Sequence, residues 1–315
     1  MDEMEAVRTM RRDVPEITRE AEALARHTLM NAMHSSEPRF RLKLGWRLAV
    51  AAALAVLIGG GLVMTRDQPD MAQVASVKEL SERAARAAEY TPVPEAKSGQ
   101  WLYLKERTAP PADGLGVDPD RRTEWEQWTS VDGQQSAWYQ ENGQLLVQGT
   151  NPGIGAKELD AEPVTPQTML ERIGAKLHPI DPKSFTSAFG DPPPSMDDQR
   201  FQAIYQLMGE QRLPARVRAA LFRALPMIPG VTITRDAADA EGRRGVAFSY
   251  TGSSMRYDLI LSSDDYRFLG TYGVMTQDRM YDGGSDGKVP VKAGTPLVWT
   301  ALMETQLVDK PGQRP

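Results

Sequence analysis

The sequence predicts an α+β protein, in which a single transmembrane helix precedes an extracytoplasmic domain of curved antiparallel sheet packed by helices on one side. Three observations predict it: one uncharged apolar run, several short segments of alternating polarity joined by turn sequences, and amphipathic helical segments between them. Runs of strands and runs of helices, rather than strict alternation of the two, are typical of α+β folds.

The apolar run comprises residues 48–64, LAVAAALAVLIGGGLVM, and its 17 residues include no charge, amide or proline. As a helix it rises about 26 Å, close to the hydrocarbon thickness of a bilayer, about 30 Å. A cleaved signal peptide is the alternative interpretation. Its charged N-terminal region would be 47 residues long, and no small-residue cleavage site follows the run. The run is therefore predicted to be an uncleaved membrane-spanning helix.

The two flanks of the run differ in charge. The N-terminal flank holds four basic residues and one interfacial aromatic residue, namely Arg39, Arg41, Lys43, Arg47 and Trp46, whereas the C-terminal flank holds one arginine and two aspartates. By the positive-inside rule, residues 1–47 are predicted to be cytoplasmic and residues 65–315 extracytoplasmic. The predicted location is the cell membrane, and the lipid bilayer is the first expected partner.

Small residues recur along one side of the run at Ala51, Ala55 and Gly59. A stripe of this kind lets two helices approach closely, which would support a homodimer through the span. In so alanine-rich a segment the same spacing also arises by chance, and both interpretations stay open.

The cytoplasmic tail, residues 1–47, is predicted to contain short amphipathic helices before its basic flank. Ile17, Ala21, Leu24 and Thr28 form one narrow apolar stripe at helical spacing. Helices this short cannot bury enough surface to be stable alone. Either the tail lies frayed near the membrane, or this stripe folds on a cytoplasmic partner.

The exterior is predicted to begin with a helix over residues 70–89 and a meander of four strands. Asn142-Gly143 between two apolar runs is a strong hairpin signal within that meander. Three helices and four further strands follow, with a Pro-rich connection at 191–195 as a seam between halves. The predicted strands are 100–107, 122–130, 136–140, 144–148, 231–235, 245–251, 255–261 and 266–275, and the three helices are 166–177, 196–209 and 213–225. Alternation in the later strands predicts one buried and one polar face, and the last 35 residues are predicted to be mostly irregular.

Composition excludes several classes of function. Net charge is −5, and residues 1–47 hold nine basic and eight acidic residues, so the exterior carries −6. An acidic exterior disfavours nucleic acid as a partner. Because the chain has no cysteine, disulfides, thiolate–zinc sites and cysteine nucleophiles are excluded. No cofactor or metal is expected.

The sequence also lacks the familiar catalytic motifs, including the nucleophile elbow, phosphate loop and zinc-protease helix. Glu124 and Glu126 share a strand face, as paired glycosidase carboxylates do, but acids on a solvated strand face are far commoner. A cluster of arginines around 212–223 is interpreted as the polar side of an amphipathic helix rather than a binding patch. The chain is therefore not expected to be an enzyme.

The predicted meander is rich in aromatic residues: Trp101, Trp125, Trp128, Trp138 and Tyr139. Core packing explains them, and a concave aromatic face that holds an apolar ligand is the alternative.

Several segments together resemble a family of single-pass actinobacterial membrane proteins of unassigned function. They are RRDVP at 11–15, the basic flank with the span, LPARVRAAL at 213–221, IPGV at 228–231 and DAEGRRGV at 239–246. The family's genes often lie beside those of extracytoplasmic-function sigma factors, so the resemblance implies a regulatory, anti-sigma-like role. Zinc-containing anti-sigma domains use a histidine with a Cys-x-x-Cys pair. Here His27 and His34 stand without cysteine, which excludes that subclass.

Two functions are thus expected as alternatives. In the first, the protein is a regulator whose exterior senses a signal and whose tail binds a cytoplasmic sigma factor. In the second, the exterior binds a lipid or other hydrophobic ligand on a sheet like that of lipoprotein carriers. The second likeness concerns the fold alone.

Overall fold

The computed structural model describes residues 76–90, 96–112, 115–140, 142–149, 156–182, 185, 187, 189–209, 213–282 and 287–315. These form an α+β fold built on a large curved antiparallel sheet, which confirms the predicted fold class for this part of the chain. No helix within these ranges is long and apolar enough to cross a membrane. The run at 48–64 lies outside the described residues.

Nine strands form the main sheet, in the order β4-β3-β2-β1-β11-β8-β7-β6-β5, and β9 pairs with β10 in a separate hairpin. The strands are β1 Trp101–Thr108, β2 Thr123–Ser130, β3 Gln135–Tyr139, β4 Leu145–Gly149, β5 Val231–Ala238, β6 Arg244–Thr251, β7 Met255–Ser262, β8 Phe268–Met275, β9 Arg279–Asp282, β10 Lys288–Val291 and β11 Pro296–Val308. The helices are α1 Val77–Tyr90, α2 Ala156–Leu159, α3 Pro166–Lys176, α4 Met196–Gly209 and α5 Ala215–Ala224, the last followed by a 3-10 turn at Leu225–Met227.

The helices pack on one face of β5–β8, here called the inner face. Phe248 and Leu259 project from that face into a core with helix residues such as Leu80, Ile204 and Leu221, all fully buried. Amphipathic spacing produces this arrangement, since each helix presents one apolar stripe to the sheet. α3 begins at a capping box, in which the Thr165 side chain accepts from the Thr168 backbone N–H.

β11 contradicts the prediction that the C-terminal residues are mostly irregular. It is the longest strand in the sheet and pairs with both β1 and β8, so it joins the two halves of the chain. Its pairing with β1 jumps from Lys105–Glu304 to Glu106–Leu302, which leaves Met303 as an extra residue. This bulge shifts the side-chain alternation in mid-strand, and a regular two-residue pattern is therefore absent from the sequence.

The outer face of β5–β8 contradicts the predicted polar face. Ala247 and Ile260 on that face are fully buried, as is the Ser249 side chain. Ala247 and Ile260 pack with Ala237, Leu269 and Tyr272 of the same sheet. The turn between β5 and β6, residues 239–243, is here called the clasp. Gly245, the second residue of β6, allows β6 to lie close to β7, since a Cβ there would lie 1.9 Å from the Leu261 carbonyl oxygen.

The clasp is held by a network centred on Asp239, whose side chain is fully buried. Its Oδ1 accepts from the backbone N–H groups of Glu241 and Arg243, each at 2.9 Å, and its Oδ2 accepts from Arg243 Nε at 2.6 Å. Arg243 Nη2 also donates to the carbonyls of Leu269, at 3.0 Å, and Leu302, at 2.8 Å. The DAEGRRGV segment therefore ties the β5–β6 hairpin to β8 and β11.

Candidate functional site

The aromatic residues of β1–β4 divide between the two faces of the sheet. Tyr103 lies directly opposite Trp128, and their rings are 5.4 Å apart on the outer face. Trp125 is three residues before Trp128 and therefore faces the other way. Trp138 pairs with Leu146 and also lies on the inner face. The single aromatic face considered from the sequence is thus two faces with different surroundings.

On the outer face, the aromatic residues are covered by the last residues of the chain. Trp128 is fully buried and donates through Nε1 to the Gln313 carbonyl at 2.6 Å. Tyr139 meets Trp128 edge to face and donates to the Gly312 carbonyl at 3.3 Å. Core packing, the first of the two interpretations, accounts for this group.

On the inner face, β1–β4 and the end of β11 carry a row of half-buried apolar side chains, here called the strip. Pairing of Trp125 with Glu106, and of Glu106 with Leu302, places the row on the same face as the helices. However, none of the described residues in the core between the helices and the sheet belongs to β1–β4. The strip comprises Leu104, Trp125, Trp138, Leu146 and Leu307.

Polar side chains run through the strip along β2. Trp125 Nε1 donates to Gln127 Oε1 at 3.5 Å, and Gln127 Nε2 donates to Thr129 Oγ1 at 3.3 Å. The Trp125 and Gln127 side chains therefore each have a polar partner within β2.

Glu106 lies at the inner end of the strip, next to the half of the sheet on which the described helices pack. Trp125 is directly across from it on one side and Leu302 on the other. Burial raises the pKa of the Glu106 carboxyl to about 7. The side chain as a whole is half-buried, and among the residues that the structure describes no hydrogen bond or ion pair engages its carboxyl. A carboxyl in an apolar setting without a partner is unusual and marks this position.

Tyr205 of α4 is the neighbouring polar group. Its hydroxyl is buried and has no hydrogen-bond partner of normal geometry in the described part of the chain. Burial raises the pKa of Tyr205, and the nearby charges of Tyr257, Asp258 and Glu106 raise it further. Hydrogen bonding with the Thr271 side chain acts in the opposite direction and lowers the pKa of Tyr205, and Thr271 Oγ1 also lies 2.9 Å from Thr300 Oγ1.

Neither Glu106 nor Tyr205 is singled out by the sequence analysis. The sequence gives one indication for Glu106: it follows Leu102 and Leu104 on the same face of β1, so a carboxyl stands in an otherwise apolar row. Nothing in the sequence shows that α4 brings a tyrosine to the same place.

The carboxylates Glu124 and Glu126 lie on the outer face, in an open depression of about 400 Å³. Glu126 accepts from Arg314 Nε at 2.8 Å, and Glu124 Oε2 is 3.1 Å from Lys105 Nζ. These cations lower the pKa of each carboxyl through hydrogen bonds. The depression is therefore a network of ion pairs, lined by Tyr103, Lys105, Glu124, Glu126, Glu304, Arg314 and Pro315.

The arginines around α5 are engaged by acids rather than gathered into a basic patch. Arg216 contacts Asp160 at 2.6 Å and Glu162 at 2.5 Å. Arg223 contacts Glu82 at 3.2 Å and also reaches Glu89. This pairing agrees with the interpretation of these arginines as the polar side of a helix.

Three sets of predicted residues lie outside the described residues and stay predictions. They are the orientation residues Arg39, Arg41, Lys43, Trp46 and Arg47, the span stripe Ala51, Ala55 and Gly59, and the tail stripe Ile17, Ala21, Leu24 and Thr28.

Within the described ranges, no group of three or more His, Asp or Glu side chains is arranged to hold a metal ion. In comparisons with protein-family models, curated proteins and solved structures, none matches this chain, and the function has to be inferred from the site itself.

Proposed function

We propose that the protein is a membrane-anchored regulator whose extracytoplasmic domain binds an apolar or amphiphilic molecule on the strip. One observation carries the ligand-binding part: the inner face is closed by helices over β5–β8, while the same face of β1–β4 keeps half-buried apolar side chains. Membrane anchoring and the regulatory output rest on the sequence, through the run at 48–64, its charged flank and the tail.

The strip suits a hydrocarbon chain better than a polar solute. Each methylene removed from water there contributes about 0.8 kcal/mol, and the indole rings of Trp125 and Trp138 offer broad apolar surfaces. The outer depression is the weaker site, because its carboxylates already hold cations from the same chain.

Photolabelling of the full chain in lipid nanodiscs tests the ligand-binding part. A long-chain hydrocarbon carrying a diazirine is expected to label peptides of β2, β3 and β4, which mass spectrometry locates. Labelling of residues 48–64 serves as the internal standard for the predicted span.

Two neighbouring substitutions in β4 make the test specific. Leu146→Asp places a charge in the strip and is expected to lower labelling there about tenfold, which corresponds to about 1.4 kcal/mol. Val147→Asp is the control, because Val147 points to the outer face and is 42 % exposed. Equal labelling of both variants and the unaltered chain, or no labelling of these strands, would contradict ligand binding on the strip.

The regulatory part is tested through the tail. If Ile17, Ala21, Leu24 and Thr28 bind a sigma factor, Leu24→Asp in the full chain is expected to abolish its co-purification from membranes. Ala23→Asp, one position off the stripe, is expected to retain it. Absence of any sigma factor from the unaltered sample would refute the anti-sigma-like role and leave ligand binding to stand alone.

A further inference from the structure

β4 forms one edge of the nine-stranded sheet, and no described strand pairs with its outer side, here called the β4 edge. The Gln140 backbone N–H donates to the Gln144 carbonyl at 2.9 Å, which fixes the hydrogen-bonding phase of the β3–β4 ladder. Since this phase alternates, the even-numbered residues of β4 direct their backbone groups to β3 and the odd-numbered residues direct theirs outward. Among the described residues, no hydrogen bond reaches these outward groups. The outward-directed residues are Leu145, Val147 and Gly149.

The two edges of the sheet differ in how they are protected. On β5, a bulge between Arg235 and Ala237 leaves Asp236 unpaired with a φ of 54°, and both charged residues are exposed. Bulges and charges of this kind are the usual means by which a sheet prevents further strands from adding to it. β4 has neither, since it pairs with β3 without a register shift and holds no charge or proline. The β4 edge is therefore regular, uncharged and open to pairing.

We propose that the β4 edge pairs with the β4 edge of a second copy of this chain, antiparallel and centred on Val147. Two-fold symmetry then sets Val147 opposite its own counterpart and Leu145 opposite Gly149 of the partner copy. A copy related in this way presents the same outward groups in reverse order, so donors meet acceptors at all three outward residues. This inference concerns assembly and does not require a ligand on the strip.

The side chains of β4 suit a copy of the same strand. In a symmetric pair a charge near the axis would approach its own counterpart and be repelled, and β4 has none. Val147 is 42 % exposed and would be covered by an identical apolar side chain. Five residues form a small interface, and its occupancy rests on the proposed membrane anchor, which holds the copies at one surface and raises their effective concentration.

Single-cysteine cross-linking tests the pairing in the full chain, which has no cysteine of its own. In cell membranes under mild oxidation, Val147→Cys is expected to form a disulfide-linked dimer, because directly opposed residues of this kind have Cα atoms about 5.5 Å apart. Gln148→Cys is the matched control: it is also exposed, but it lies diagonal to its counterpart, about 7–8 Å away and beyond disulfide reach. Val147→Cys should give about tenfold more linked dimer than this control.

Two substitutions at Gly149, each combined with Val147→Cys, test the edge hydrogen bonds. The Gly149 N–H faces outward, so Gly149→Pro removes a donor to the partner copy without removing a β3–β4 bond. Gly149→Ala keeps that donor, and the nearest atom to its Cβ, the Gln134 carbonyl oxygen, is 4.0 Å away. Proline is expected to lower cross-linking to the level of Gln148→Cys, and alanine is expected to retain it.

Three results would overturn the inference: no linked dimer from Val147→Cys, equal amounts from Val147→Cys and Gln148→Cys, or full cross-linking with Gly149→Pro. Equal amounts are what a dimer joined through the span alone would give, since its exteriors would meet in no fixed register. If Gly149→Pro fails to fold, the comparison of Val147→Cys with Gln148→Cys decides alone. Ligand binding on the strip is measured separately by photolabelling, so it stands or falls independently of these results.

Discussion

Replacing Arg243 with methionine is expected to lower the free energy of unfolding by about 3 kcal/mol, the low end of the cost of breaking a buried ion pair from one side, because Asp239 is fully buried while the Arg243 side chain is 34 % exposed. The substitution keeps an apolar stem of similar length but removes the guanidinium. Asp239, whose side chain is fully buried, would then lose its only charged partner in the clasp, although its two backbone donors remain.

The loss extends beyond the ion pair, because the same guanidinium spans two strands. It donates to the carbonyls of Leu269 in β8 and Leu302 in β11, and both acceptors would lose this donor. The clasp also donates from the Ala240 backbone N–H to the Thr300 carbonyl at 3.2 Å. Loosening it would therefore weaken its attachment to β11 as well.

Arg244→Met is the matched control for this prediction. Arg244 is the next residue, is exposed, and makes no hydrogen bond or ion pair with its side chain among the described residues. Its replacement is expected to change the free energy of unfolding by less than about 0.5 kcal/mol. Urea unfolding followed by tryptophan fluorescence measures both variants. Equal stabilities for the two would show that the clasp contributes nothing specific.

The sheet was largely predictable from the sequence wherever strands alternate and a turn sequence joins them. The hairpin around Asn142 and Gly143 forms between β3 and β4 as predicted, and α4 has the predicted bounds. β11 was missed because its bulge at Met303 breaks the two-residue period. Its place between β1 and β8 depends on pairing with residues nearly 200 positions away, which local pattern does not encode.

The faces of the sheet were harder to predict than its strands. The outer face of β5–β8 looked polar, because Ser249, Thr251 and Arg256 alternate with apolar residues. Ala247 and Ile260 are nevertheless fully buried on that face, in a cluster with Ala237 and Leu269, and local alternation does not reveal such a cluster. In the sequence, the DAEGRRGV segment indicates only a resemblance to a family. In the structure, its Arg243 side chain bonds to Asp239 and to the Leu269 carbonyl and so holds the clasp in place.

For the candidate site, the sequence revealed the surplus of aromatic residues but not their division. Trp125 and Trp128 are three positions apart, so if both lie in one regular strand their side chains must point to opposite faces of the sheet. What covers each face depends on tertiary packing: the chain end covers Trp128, and the described helices stop short of Trp125. The surroundings of Glu106 and Tyr205 likewise depend on how β1 pairs and how α4 packs on the sheet, and no spacing in the sequence records either.

Replacing Glu106 with glutamine is expected to stabilise the protein at pH 8 by up to about 3 kcal/mol and to have almost no effect near pH 4.5. The neutral amide is nearly isosteric with the protonated carboxyl. The pKa of Glu106 is raised from 4.5 to about 7 in the folded protein because of burial. Below pH 4.5 both states hold the proton, so the carboxyl adds no penalty.

Between pH 4.5 and 7 the unfolded chain releases this proton while the folded protein retains it, so the contribution of Glu106 to stability falls as the pH rises and is lost above pH 7. Other carboxyls titrate in the opposite sense, since cations lower the pKa of Glu124 and Glu126. These other contributions are the same in both proteins, so they cancel when the free energies of unfolding of the variant and the unaltered chain are subtracted.

Urea unfolding of the full chain in nanodiscs at pH 4.5, 6 and 8 measures this difference. Glu304→Gln is the control, because Glu304 is exposed on the outer face, and it should change the free energy of unfolding by less than about 0.5 kcal/mol at each pH. A difference for Glu106→Gln that stays constant from pH 4.5 to 8 would show that the carboxyl is solvated in the folded protein.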